Sequence, residues 1–159
     1  MKVIATTLAG LALGATGIVG VASAAASALP RTATVQIRHK TAGCHSWAVN
    51  GGPLKAAQSL KLARGAQVTI TDNDVMSHQL VRLSGPRVTY TLVNAGAPMM
   101  GTAKAPYASG LMPHMGATLR VTFAKKGVYT FKTTAGEDYM KGVKTVGEDN
   151  ILTLTVTVR

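Results

Sequence analysis

A two-residue alternation of apolar and polar positions runs through most of the chain. It is clear in Thr34-Val35-Gln36-Ile37-Arg38, in Gln67-Val68-Thr69-Ile70-Thr71 and in Arg87-Val88-Thr89-Tyr90-Thr91-Leu92. It returns in Thr118-Leu119-Arg120-Val121-Thr122-Phe123 and in Val128-Tyr129-Thr130-Phe131. The last segment, Leu152 to Val158, sets a Leu/Val face against a threonine face. Alternation rich in threonine and β-branched residues predicts half-buried strands. Weaker strands are expected over 46–50, 59–62 and 78–83. Gly51-Gly52-Pro53, Gly65, Gly85-Pro86 and Gly127 separate the segments. No stretch shows helical periodicity. About eight short strands predict an all-β, Greek-key β-sandwich.

The N-terminus has a different pattern. Lys2 precedes an apolar run over 3–21, and Ala22-Ser23-Ala24 and Ala26-Ser27-Ala28 both fit a small-x-small cleavage pattern. The expected organisation is a signal peptide over 1–28 and one domain over 29–159, exported to the periplasm, the cell envelope or the medium. No second run reaches the ~18 apolar residues of a membrane span.

Sulfur and imidazole are confined to the breaks between strands. Cys44, the histidines His39, His45, His78 and His114, and six methionines all fall in turns or at strand ends. If the strand at 33–39 runs up, direction reversal puts the turn at 40–45, the loop 72–78, the segment 94–117 and the loop 134–150 at the top. The turns at 63–65, 85–86 and 125–127 fall at the bottom. One pole is therefore expected to collect every candidate ligand. A single cysteine in an exported chain forms no internal disulfide, so Cys44 is buried, paired with another chain or metal-bound.

Composition narrows the function. Seventeen Lys and Arg stand against six Asp and Glu in 159 residues, a formal charge of +11. The cations are scattered and aromatics are few, which argues against nucleic acid. The charge fits a solvated face, or attraction to an anionic envelope or an acidic partner. Thiolate, imidazole and thioether together suit copper better than zinc, for which methionine adds nothing. Hard cations need oxygen ligands that six scattered carboxylates do not supply. Cys44 and His45 have no orienting third group, and no enzyme activity is expected.

Asn73-Asp74-Val75-Met76-Ser77-His78-Gln79-Leu80 resembles the cupredoxin stretch that supplies the first histidine ligand. Gly127-Val128-Tyr129-Thr130-Phe131 with Met140-Lys141-Gly142 resembles the final cupredoxin hairpin, whose Cys, His and Met ligands lie between Tyr-x-Phe and Met-x-Gly. The resemblance spans residues 33 to 158. It implies a cupredoxin-like sandwich holding one copper ion and carrying single electrons, in contact with an acidic redox partner or a copper-delivery partner. This chain has Thr133 where that hairpin carries cysteine, and Gly136-Glu137 near the histidine slot. The thiolate is then expected to come from Cys44. The resulting ligand set is Cys44, His45, His78 and Met140, with His114 competing for the second imidazole and Glu137 for the axial position. Cu(I) storage or delivery and a metal-free envelope module are the alternative functions.

Overall fold

The computed structural model describes residues 28–39, 45–98, 105–135 and 151–159. The signal-peptide expectation therefore lies outside the described residues except for Ala28. Ten strands form among the described residues: β1 (Thr32–His39), β2 (His45–Val49), β3 (Ala57–Leu62), β4 (Gln67–Asn73), β5 (His78–Ser84), β6 (Thr89–Asn94), β7 (Leu111–Met112), β8 (Thr118–Thr122), β9 (Gly127–Ala135) and β10 (Ile151–Val158). They make two five-stranded sheets, ordered β2-β1-β4-β8-β6 and β3-β10-β9-β5-β7. The architecture is the expected all-β Greek-key sandwich, with two strands more than about eight. One extra is the two-residue β7, too short to alternate.

Pairing is not a meander. Only β1–β2 and β9–β10 join neighbours in sequence, and β1–β4 and β3–β10 run parallel. Direction still reverses as the alternation implied. β1, β4 and β6 run one way in the first sheet against β2 and β8. In the second sheet β7 and β9 oppose β3, β5 and β10.

The inward positions of both sheets form one core. Val35 and Ile37 on β1, Val68 and Ile70 on β4, and Leu119 and Val121 on β8 face Tyr129 and Phe131 on β9 and Leu152, Leu154 and Val156 on β10. Three rings lock the lower half. Phe123 meets Tyr129 edge-on at 4.9 Å and Phe131 at 6.0 Å, geometries that suit the ring quadrupoles. The Tyr129 hydroxyl donates to Lys125 O, tying the turn that crosses from β8 in one sheet to β9 in the other to the ring cluster.

Trp47 is also fully buried. Its Nε1 donates to Ala56 O at 3.1 Å, and Gln58 Nε2 donates to Trp47 O at 2.8 Å. It serves the core by closing β2 onto the segment that leads to β3. All ten strands and the whole described core lie within 29–159.

Phe131→Ala removes a ring in contact with two others and is expected to destabilise the fold by about 3–5 kcal/mol. Urea unfolding measures this directly. A loss under about 1 kcal/mol would mean that the site collapses around the cavity.

Candidate metal pole

The lower turns meet at one end. Ala63 N donates to Pro30 O, Arg64 N to Arg159 O and Gly65 N to Phe123 O. At the other end His39 pairs with His45, His78 with both Met112 and Ala135, and Asp72 with the turn before β8. The chain leaves this second pole into 40–44, 99–104 and 136–150. One pole therefore does gather the strand ends that flank the candidate ligands.

The loop from β4 to β5 is built from its own acidic side chains. Asp72 Oδ1 accepts the N–H of Asp74 at 3.0 Å, and Asp74 Oδ1 accepts that of Met76 at 3.3 Å. Two successive turns of this kind, in which a carboxylate bonds the backbone two residues on, reverse the chain and deliver His78. His78 is fully buried at the first position of β5. Its Nε2 lies 3.3 Å from Asp74 Oδ2, and its Nδ1 lies 3.5 Å from Thr133 Oγ1.

Thr133 faces inward on β9, diagonal to His78 across the β5–β9 ladder. An ionised Asp74 would accept from Nε2–H, and Nδ1 would then accept from the Thr133 hydroxyl beside it. A carboxylate on one imidazole nitrogen is the arrangement that orients the other towards a metal.

Asp72 continues the inward row of Val68 and Ile70, opposite Ile37 on β1. Burial pushes its carboxyl up from 3.8 to about 8. The Asp74 N–H partly offsets this and the Asp74 charge adds to it. Asp72 Oδ2 has no hydrogen-bond partner among the described residues. The Asp72 backbone accepts from Gly116 N and donates to Ala117 O, which fastens the 114–117 turn over the end of β4. Gly96 supports that turn from the other side. Its φ is +78°, and a Cβ there would come within 2.5–2.7 Å of Met115 O, His114 O and Ala117 N.

His114 is the second buried imidazole, 3% exposed. Its Nε2 is 3.3 Å from the Tyr107 hydroxyl, and the rings meet edge-on at 5.9 Å. Its Nδ1 is buried without a hydrogen-bond partner. His114 follows β7, whose Met112 is the register partner of His78, so both imidazoles belong to the β5–β7 side of the pole. Met112 itself is fully buried in the core, whereas Met115 is exposed.

The other expected ligands are placed less directly. Cys44 and Met140 lie outside the described residues, as do Met99, Met100 and Glu137. The His45 and His39 backbones pair at the β1–β2 edge, but their side chains are not described. The first sheet packs β2 over β3 and β10, two and three strands away from β5. That is about 10–14 Å of lateral separation at ~4.8 Å per strand. Among the described residues no three of His, Cys, Asp and Glu are grouped to hold a metal. The described residues thus offer two buried imidazoles at this pole, His114 with an unpartnered Nδ1 and His78 backed by a carboxylate, which are chemically suited to copper but do not by themselves make a metal site.

No family model matches the chain, and no curated protein sequence matches it. Among solved structures it is similar to a cysteine protease inhibitor from Entamoeba histolytica, at 16% identity over 64% of this chain and 85% of that one, with a TM-score of 0.38. It is also similar to a purple cupredoxin from Nitrosopumilus maritimus, at 16% identity over 78% and 98%, TM-score 0.40. A reduced amicyanin variant matches at 15% identity over 87% and 88%, TM-score 0.39. Likeness at these values carries neither a family nor a function to this chain.

The Asp72 carboxyl generates a pH dependence with a definite sign. Below about 3.8 both folded and unfolded states hold the proton. Between 3.8 and about 8 the unfolded chain is ionised while the fold retains the proton. Stability is therefore expected to fall across that window, by up to about 1.4 kcal/mol per pH unit, and to level off above it. Asp72→Asn keeps the acceptor for Asp74 N and is expected to flatten the slope. Urea midpoints measured across the window check this; an unchanged slope in the variant would assign the effect elsewhere.

Proposed function

We propose that this is an exported copper-binding protein whose site lies at the His78 pole and whose role is one-electron transfer. The observation that carries the reading is the Asp74–His78 pair: a wholly buried imidazole, backed by a buried carboxylate, where the Cys44 and Met140 segments leave the fold. The ligand set is His78 and a second imidazole, with the Cys44 thiolate and the Met140 thioether. His114 serves better than His45 as that imidazole, because β7 holds it beside β5 while His45 starts two to three strands away. Cys44 has the longest way to come, since it joins the chain at the β2 edge. A trigonal His₂Cys site with a weak methionine suits electron transfer. Cu(I) held by Cys44 and methionine alone would instead suit storage or delivery.

A second reading rests on Thr133. It stands where the resemblance places cysteine, and its hydroxyl lies beside His78 Nδ1. A neutral hydroxyl there suits a structural polar network in a metal-free envelope module.

Copper titration of residues 29–159, followed by visible absorption and EPR, separates these readings. One bound copper with an intense thiolate-to-copper band, lost in Cys44→Ser and in His78→Ala, is the expected result. Asp74→Asn is expected to weaken copper binding about 10–100-fold while the protein stays folded. Colourless binding of Cu(I) alone would replace electron transfer by storage or delivery. No binding in either oxidation state would leave the metal-free module.

A further inference from the structure

The pole opposite His78 has its own chemistry. The chain has six acidic residues, Asp72, Asp74, Glu137, Asp138, Glu148 and Asp149, and those among the described residues, Asp72 and Asp74, belong to the His78 pole. The two that are described are buried, and among the described residues the only ion pair is Asp74–His78. The far pole carries exposed Arg31, Arg64, Arg87, Lys125, Lys126 and Arg159, with no acidic side chain beside them among the described residues. Backbone bonds hold several of them together. Arg64 N donates to Arg159 O, Gln67 N donates to Arg31 O, and the 63–66 turn bonds Phe123 beside the Lys125-Lys126 turn.

Leu83, 53% exposed, and Val128, 56% exposed, sit on the outer face of the second sheet beside the Gly85 and Gly127 turns, flanking the cations. Exposed cations with an exposed leucine and valine near them in sequence suit the boundary between headgroups and acyl chains.

We propose that this basic pole docks on a bilayer surface rich in anionic headgroups. The cations supply attraction over roughly a Debye length, and Leu83 and Val128 enter the interface. The metal pole then points away from the bilayer, towards a partner.

Vesicle co-sedimentation of residues 29–159 at low salt tests this with phosphatidylcholine alone and with equimolar phosphatidylglycerol. Binding is expected only to the anionic vesicles and is expected to fall as salt rises. Lys125→Glu with Lys126→Glu should weaken it at least about tenfold. Leu83→Ser with Val128→Ser should weaken it without changing its salt dependence. Arg38→Glu with Arg120→Glu, on the outer face of the first sheet, is the control and should have a smaller effect than the pole reversal. Equal binding to both vesicles, or an equal loss in the control, would overturn the proposal. So would preferential binding to polyglutamate over anionic vesicles, which would indicate an acidic protein partner.

Discussion

The apolar interior runs along β4 through Val68 and Ile70 and ends at Asp72, and the architecture of the pole follows from what that carboxyl requires. A charge buried between Ile37 and Ile70 is costly, so Asp72 retains its proton to about 8 and gives one oxygen to the backbone of Asp74. That bond begins the turns that bring Asp74 under His78. The Asp72 backbone meanwhile pins the 114–117 turn, which places His114 on the same side. Both buried imidazoles are thus positioned by a short acidic segment whose own burial lowers stability at neutral pH.

The two poles differ in chemistry. One holds the described carboxylates Asp72 and Asp74, both buried imidazoles and the exits of the Cys44 and Met140 segments. The other holds a cluster of exposed cations with aliphatic neighbours. Between them the outer faces of the sheets are lined with threonine, which keeps the strands soluble.

Much of the fold was legible because alternation is strong where one face is buried and the other wet, as in Thr34–Arg38 and Leu152–Val158. It fades in β2, where Ser46, Trp47 and Ala48 are all buried, so no two-residue period marks that strand. The parallel pairs β1–β4 and β3–β10 are long-range and leave no local signal. His78 was legible through the motif around it. Its partners were less so: Thr133 stood out only as a departure from a resemblance. The Asp72–Asp74–His78 relay could have been inferred from the spacing Asp-x-Asp-x-Met, which sets up successive turns. Met112 shows the opposite case, a candidate ligand by residue type that the fold uses as core.

The central claim is that Asp74 holds the His78 ring with Nδ1 as its metal-facing nitrogen. Long-range ¹H–¹⁵N NMR of the histidine side chains, with Asp74→Asn for comparison, tests it most directly. For His78 the expected result is a proton on Nε2 and a lone pair on Nδ1, with its Nδ1 signal rather than its Nε2 signal shifting strongly when Cu(I) is added. A proton on Nδ1 that persists in the presence of Cu(I) would contradict it.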